Sequence, residues 1–352
     1  MIGTRTLLLP AATLGAMLTL APAADAQQRG RTVPQTLPPG QSRMVGDIKI
    51  LNVRNNVWVL MGAGGNITAL AFPEGVTLVD TGLAASADKV LAAIRTISNQ
   101  PIRYIINTHV HPDHTGGNEK LNLAGRQITG GNVVGSAPDI GQSAEVIAHE
   151  NVLNRMIDPR VQPPTPANAQ PETTYHTDSL KLSTFYHGDA VQLFWEKAAH
   201  SDGDTVVWFR RNDVIATGDI FTPSSYPRID LDRGGSINGE IDALNHIIEI
   251  AFPEFRLENG TLIVPGHGRL CDVADIAYYR DMVITIRDRV QDLMKKGRTL
   301  EQIKASKLSE DYDGVYGKDP QYTADQFIET IYKSLSASVK PATPAKPTPK
   351  KK

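Results

Sequence analysis

Cysteine is almost absent: of 352 residues only Cys271 carries a thiol, so no internal disulfide can form and no thiolate cluster exists to hold a structural zinc or an iron–sulfur centre. Any bound metal has to be held by histidine and carboxylates. The chain also lacks a Gly-x-Ser-x-Gly elbow and a phosphate-binding P-loop, which leaves no serine nucleophile motif and no nucleotide-binding motif of that kind. An excess of positive charge is missing too, with 36 Lys and Arg against 38 Asp and Glu. Without a large basic face, nucleic acid is not expected as a partner, and a small molecule is. No internal run approaches the roughly 20 apolar residues of a spanning helix, so no membrane span is expected in the mature chain. What is present, 41% hydrophobic and 21% charged residues, suits a globular protein with a sizeable core.

The two ends differ from the middle. Residues 1–26 read as a secretory signal: Arg5 opens it, an apolar run follows from Leu7 to Leu20, and Ala24-Asp25-Ala26 supplies a small-x-small cleavage pattern. The mature protein is therefore expected to start near Gln27 and to be periplasmic or secreted. Residues 27–44 read as an extended segment. Residues 338–352 form a Pro/Lys-rich tail without apolar periodicity, expected to be disordered. Setting aside Arg5, Asp25 and the five tail lysines leaves 30 basic against 37 acidic residues, so the body is mildly acidic.

Between the ends, residues 45–337 alternate strand-like and helix-like runs and show no clear linker. Ile48–Val53, Val57–Met61, Ile67–Phe72 and Val76–Val79 are short β-branched or apolar stretches divided by Asn, Gly and Pro turn signals. Ala84–Ile97 has helical spacing and Ile102–Asn107 reads as a strand. After His200 the order repeats, with strands at Thr205–Phe209, Val214–Ala216 and Leu262–Val264 and helices at Ile237–Ala251 and Ile276–Met294. Two β-rich halves, each followed by helices, predict an α/β (α+β) architecture of sheets packed face to face with helices outside. The proline-rich stretch Asp158–Thr174 is the candidate long loop.

The chemistry concentrates in Thr108-His109-Val110-His111-Pro112-Asp113-His114-Thr115-Gly116-Gly117. His109 and His111, two apart at a strand end, project to the same side and can grip one ion. Asp113 and His114 follow on the next turn. Four metal-competent side chains within six residues make a dense cluster in a chain with nine histidines. His149 falls in the helical run Ser143–Met156 and His246 in Ile237–Ala251, while His176 and His187 flank the strand Leu180–Tyr186; none of these four has a ligand's setting.

His-x-His-x-Asp-His resembles the signature of the metallo-β-lactamase superfamily, and the likeness extends along the chain. Ala199-His200-Ser201-Asp202-Gly203-Asp204-Thr205 resembles the third ligand motif, Thr217-Gly218-Asp219 the bridging-carboxylate motif, Val264-Pro265-Gly266-His267-Gly268 the last histidine motif, and Val79-Asp80-Thr81-Gly82 the Asp-x-Gly turn. The resemblance implies a four-layer αβ/βα sandwich. It further implies two divalent metal ions, zinc in the first place with manganese or iron also fitting. His109, His111 and His200 would hold one, Asp113, His114 and His267 the other, and Asp219 would bridge. Asp80 would orient the histidine cluster. Such a centre makes hydroxide from water near neutral pH, with Asp113 as the catalytic carboxylate handling its proton.

The implied reaction is hydrolysis of an ester, lactone or amide-type bond of a small molecule. The alternatives are a β-lactamase acting on β-lactam antibiotics and a non-catalytic metal-binding module on the same fold. Against β-lactam stand the bridging Asp219 and the absence of a Lys in Ile220-Phe221-Thr222; export argues the other way. Tyr226 and Arg233, in the stretch between Asp219 and the next helix, are the candidate substrate contacts, and Ser236 is a candidate helix cap. The Asp158–Thr174 loop is the candidate lid. Cys271 reads as a small buried residue. The oligomeric state is left open.

Overall fold

Alternation within single strands builds the fold. In Val57–Met61, Val57 and Val59 point into one apolar core while Trp58 and Leu60 point into another, because successive side chains of a strand leave on opposite faces. A strand apolar on both faces needs a partner layer on each side. The computed structural model describes residues 37–127, 143–182, 189–251 and 260–338. The expected signal 1–26 and the tail from 339 onward, together with His187 and the greater part of the Leu180–Tyr186 strand, lie outside the described residues.

Eight strands form the first sheet in chain order, β1 Ser42–Val45, β2 Ile48–Arg54, β3 Val57–Met61, β4 Ile67–Phe72, β5 Gly75–Val79, β6 Ile102–Ile106, β7 Glu145–His149 and β8 Thr173–Tyr175. Strands β1 to β5 are an antiparallel meander, and β5 to β8 pair in parallel. The second sheet has the order β14-β13-β12-β11-β10-β9, from β9 Ser179–Lys181, β10 Val191–Glu196, β11 Asp204–Phe209, β12 Val214–Ala216, β13 Leu262–Val264 and β14 Cys271–Asp272. The strand β1 begins at Ser42, within the stretch 27–44 that was expected to precede the folded body, so the sheet begins earlier than the sequence pattern indicated.

Three apolar cores separate four layers. Val57, Val59, Leu70 and Ile106 meet Val191, Val207, Phe209 and Val264 between the sheets. Ile50, Leu60 and Leu78 of the first sheet pack on Val90, Ile94 and Leu121 of the helices α1 Ala87–Ile97 and α3 Asn118–Leu123. Val206 and Ile215 of the second sheet pack on the outer helices α5 Ile237–Ile250, α6 Val273–Lys295 and α9 Ala324–Ser338 through Ile241, Tyr279, Met282 and Phe327. The α/β sandwich expected from the sequence is thus the observed architecture.

Local chemistry sets the helix ends. Ser236 caps α5, its side chain accepting from Gly239 N. Asp272 and Asp275 form a capping box that starts α6 at Val273, three residues before the expected Ile276, because the box replaces an apolar first turn. The expected helix Ser143–Met156 is instead the strand β7 followed by α4 Glu150–Met156. Its Val-Ile-Ala-His segment is buried throughout in the parallel ladder, and tertiary burial overrides a helical reading there. No helix among the described residues is long and apolar enough to cross a membrane.

Candidate metal centre

Strand direction brings the polar residues to one place. Strands β10, β12 and β13 run the same way, as do β5 and β6. The loops that follow them carry Asp80 after β5, His109 after β6, His200 after β10, Asp219 after β12 and His267 after β13. Cross-links hold the loops together: Thr205 N donates to Thr108 O at 2.8 Å and Asn66 N to Gly266 O at 2.7 Å. Asn66 Nδ2 donates to Pro265 O at 2.9 Å. Two glycines are required by space. Gly218 has φ 54°, and a Cβ on Gly266 would stand 2.0 Å from Asp219 Oδ1.

Two groups of donor atoms result, His109, His111, His200 and Asp219 in one and Asp113, His114, Asp219 and His267 in the other, the atoms of each within 4.8 Å of one another. These are the seven residues named from the sequence. Within the first, His111 Nδ1 is 3.0 Å from His200 Nε2, and Asp219 Oδ2 is 3.8 Å from His109 Nε2 and 4.0 Å from His200 Nε2. Within the second, Asp219 Oδ1 is 3.1 Å from His114 Nε2 and 3.4 Å from His267 Nε2, and Asp113 Oδ2 is 3.1 Å from His267 Nε2. Asp219 therefore offers one oxygen to each group.

The hydrogen bonds behind the rings decide which nitrogens are lone pairs. Asp80 accepts from Thr108 N at 2.8 Å, from Thr108 Oγ1 at 2.7 Å and from His114 Nδ1 at 2.7 Å. Since the Thr108 hydroxyl spends its proton on Asp80, it can only accept from His109 Nδ1, 3.0 Å away. His111 Nε2 donates to Asp230 Oδ2 at 2.9 Å, and His200 Nδ1 donates to the carbonyl of Arg228. Three rings, His109, His111 and His200, thus have one nitrogen committed as a donor and turn the other, an acceptor, inward; against burial, Asp219 and Asp80 hold His114 well above its ordinary value, and its Nε2 faces Asp219 Oδ1. His109 Nε2 and Asp219 Oδ1 are buried and make no hydrogen bond. A buried lone pair without a donor is costly, and a cation is the partner that the arrangement lacks. Donors around a tetrahedral ion with bonds of about 2.0–2.1 Å stand about 3.3 Å apart, so spacings of 3.0–4.0 Å fit two such ions after small adjustments.

Electrostatics separates the two groups. Burial pushes the His200 imidazole down to about 4, with Asp219 opposing and His111 adding to the fall. His109 is likewise held well below its ordinary value by burial and by His114. His267 goes the other way: burial lowers it, but the carboxylates of Asp113 and Asp219 beside it prevail and hold it at about 9. Against the opposing effect of burial, Asp113 sits below the usual carboxylate range because of His267 and His114, and Asp219 well below it because of His114.

A cavity of about 920 Å³ opens over the centre, with His111, Asp113, His200, Asp219 and His267 on its floor. Its walls hold surprises for the sequence reading. The expected substrate contact Tyr226 is fully buried instead, its hydroxyl bonded to Asp313 Oδ1 at 2.7 Å and its ring stacked on Phe327. An aromatic ring next to the outer helices gains more by burial than by facing the cavity. Arg233 does not line the cavity; its Nη1 donates to Asp230 Oδ2 at 2.7 Å, and Asp230 in turn holds His111. Nor does Asp158–Thr174 contribute to the lining among the described residues. It runs behind the centre, where Ala169 O accepts from Asn118 Nδ2 at 2.9 Å, and continues into β8. The wall is made by Arg228, Ile229 and Asp230 and by the C-terminal segment from Val315 to Tyr322. Arg228, Asp230 and this segment were missed. Asp230 alone had a signal, a carboxylate in the loop just after the bridging residue.

Among the described residues, the remaining histidines, His149, His176 and His246, stay outside both groups. His149 ends β7, caps α4 and stacks on Trp195 with ring centroids 4.2 Å apart. His246 bonds Glu196 at 2.6 Å. Cys271 is buried, as expected.

Residues 61–267 match a family described as the metallo-beta-lactamase superfamily. A linear primary-alkylsulfatase of Pseudomonas sp. (strain ATCC 19151) is 24% identical over 259 residues, covering 66% of this chain and 47% of that protein. A metallo-beta-lactamase type 2 of Bacillus cereus is 21% identical over 248 residues, covering 68% of this chain and 83% of that protein. Among solved structures, the stereoselective inverting sec-alkylsulfatase Pisa1 from Pseudomonas sp. superposes with a TM-score of 0.60 at 16% identity, over 84% of this chain and 52% of that one. The DIM-1 metallo-beta-lactamase superposes with a TM-score of 0.52 at 15% identity, over 69% of this chain and 99% of that one. The chain spans about half the length of the alkylsulfatase relatives it matches.

Proposed function

Because this chain belongs to the metallo-β-lactamase superfamily, we propose that it is a dinuclear hydrolase, with zinc as its ion, that cleaves an ester, lactone or amide-type bond of a small molecule in the periplasm. One observation carries the reading: four rings each hand one nitrogen's proton to a fixed acceptor behind them and turn the other nitrogen inward, where these nitrogens converge, with one oxygen of Asp219 on each side, beneath an open cavity. A purely structural polar cluster does not need to leave His109 Nε2 and Asp219 Oδ1 buried and unbonded. Zinc is accepted by an imidazole and carboxylate donor set, which manganese or iron would also fit. Export is supported by the Arg5, apolar and Ala24-Asp25-Ala26 pattern at the start of the sequence.

His109, His111, His200 and Asp219 would hold one ion and Asp113, His114, His267 and Asp219 the other. Bound there, the ions acidify water towards a pKa of about 7 and polarise the substrate oxygen. The residues do the rest. Asp113, partly exposed to the cavity and ionised at neutral pH, can take a proton from the attacking water and hand that same proton to the leaving group. Asp80, Asp230 and the Arg228 carbonyl keep the rings in their tautomers.

The β-lactamase alternative is supported by the likeness to the Bacillus cereus protein over most of that protein's length. The ester reading is supported by the alkylsulfatase structure superposing over 84% of this chain against 69% for the β-lactamase. Elemental analysis of metal-replete protein, with kcat/KM measured side by side on sulfate esters, carboxylic esters, lactones and β-lactams, tests the proposal. Two ions per chain and an ester leading the panel are expected. Penicillins or carbapenems far ahead of every ester would make it a β-lactamase; two ions with no turnover would make it a binding module.

A further inference from the structure

The stretch Asp158–Thr174 does not line the cavity, yet it reaches the centre from behind through one side chain. Asn118, at the start of α3, is fully buried, and every donor and acceptor of its amide is used. Its Nδ2 donates to Ala169 O at 2.9 Å and to Asn107 Oδ1 at 2.7 Å. Its Oδ1 accepts from Thr81 Oγ1 at 2.8 Å and from Asn107 Nδ2 at 3.1 Å. A carbonyl can only accept, so Ala169 O fixes which end of the amide is nitrogen and turns the oxygen towards Thr81. Thr81 in turn grips the main chain of His114: its N donates to His114 O at 2.7 Å, and its hydroxyl lies 3.0 Å from the same oxygen. Asp80, the residue before, accepts from the His114 ring at 2.7 Å. The fit is close, since a Cβ on Gly117 would stand 2.5 Å from Thr81 O. One amide thus joins the Asp80–Thr81 turn, the end of β6, the start of α3 and the proline-rich stretch, and His114 is the ligand that this frame carries.

We propose that Asn118 is a positioning residue for the ion held by Asp113, His114 and His267, and that the stretch Asp158–Thr174 acts on that ion through it, as a brace behind the centre. The inference rests on the two-ion reading of the centre and deepens it. A ligating ring has to be held to within about 0.5 Å and 10–20° of its productive place. Asp80 sets the direction of the His114 ring, and Thr81 sets where its main chain stands. A buried amide with all its bonds made cannot shift without stranding a polar group, so Asn118 keeps Thr81 in place. The other ion is supported from elsewhere, His111 by Asp230 and His200 by the Arg228 carbonyl. Coupling between two sites is reciprocal, so filling the ion site steadies the stretch that braces it.

The test compares the full chain with Asn118→Ala, Thr81→Val, Thr81→Ser and, as a control, Leu121→Ala, which loosens the apolar packing of the same helix without removing a bond of the amide. Zinc affinity at the two groups is read by competition with a chelator, and hydrogen exchange followed by mass spectrometry reads residues 166–174. Asn118→Ala and Thr81→Val are expected to weaken the ion at Asp113, His114 and His267 by about 10–100-fold and the other by less than about threefold. Thr81→Ser, which keeps the hydroxyl, stays near the wild type, and Leu121→Ala leaves both affinities in place. Zinc is expected to slow exchange at residues 166–174 in the wild type and not in Asn118→Ala. If Asn118→Ala does not fold, Thr81→Val, which keeps the shape of the side chain, decides the matter. Undiminished affinity in both variants, or an equal loss in Leu121→Ala, overturns the proposal. Were the wild type to bind no zinc, the metal reading would fail by itself; faster exchange of residues 109–117 in Asn118→Ala than in Leu121→Ala would still uphold the brace, and equal rates would overturn it.

Discussion

The two donor groups share Asp219 but differ in how the protein holds them. In the first, His109 and His200 are 1% and 3% exposed, and all three rings have a fixed donor bond behind them, to Thr108, Asp230 and the Arg228 carbonyl. In the second, only His114 is buried and anchored, through Asp80, while Asp113 and His267 are 33% and 37% exposed. Preorganisation differs accordingly. The first group is a finished cage in which burial keeps His109 and His200 neutral at neutral pH. The second is open towards the cavity, its members paired by charge, His267 Nε2 3.1 Å from Asp113 Oδ2 and 3.4 Å from Asp219 Oδ1. The difference predicts a tight ion and a more exchangeable one.

Removing what the groups have in common has the largest effect. Asp219→Ala, like His109→Ala, is expected to abolish hydrolysis while circular dichroism and thermal unfolding still report a folded chain, because the three apolar cores lie elsewhere. Activity at wild-type level in either variant would break the assignment.

His267→Ala separates the groups. It should leave close to one ion per chain by elemental analysis and lower kcat/KM by roughly 10²–10³-fold, the size of losing one electrostatic stabiliser; His200→Ala should cost the tighter ion instead. Equal loss of both ions in both variants would show that the two groups are not distinct.

Weakening a carboxylate behind a ring is gentler. Asp230→Asn is expected to reduce affinity at the first group, and Asp80→Asn at the second, by about 10–100-fold in competition with a chelator. The opposite attribution, or no change, would contradict the hydrogen-bond scheme.

Acidity gives a smaller contrast with a definite sign. His200, held at about 4, is already neutral at pH 7 and releases no proton on metal binding, whereas His267, held at about 9, must give one up. His114, which Asp219 and Asp80 hold, against burial, well above its ordinary value, also has to lose a proton, so affinity for the weaker ion should rise by at least about tenfold per pH unit between pH 7 and 9. The tighter ion's affinity should vary less over that window. Titrations that show the reverse would reject the comparison.

The smallest effect sharpens the boundary between site and scaffold. Tyr226→Phe removes the hydroxyl bonded to Asp313 and is expected to cost about 1 kcal/mol of stability while leaving kcat/KM within about threefold, as expected for a buried packing residue. A large loss of activity would return Tyr226 to the list of substrate contacts.

The elements also differ in how readable they were. Short strands such as Val214–Ala216 and Leu262–Val264 were readable to the residue, because β-branched runs between turn residues have few other uses. Ser143–Met156 was misread, since a five-residue buried strand followed by a seven-residue helix has nearly the same composition as one helix.

The candidate donor set was legible in the sequence alone. Binding a metal demands particular side chains at short spacings in loops after strands, and His109, His111, Asp113 and His114 meet that demand within one turn of chain, so no knowledge of packing was needed to find them. Tertiary structure alone decided which nitrogen of each ring turns inward, because the bond that decides it for His111 comes from Asp230, 119 residues away. It also decided that the cavity wall is the segment from Val315 to Tyr322 and that Tyr226 is core. These are outcomes of packing the outer helices onto the second sheet. A side chain's exposure depends on which distant surfaces cover it, and no local pattern of residues encodes that.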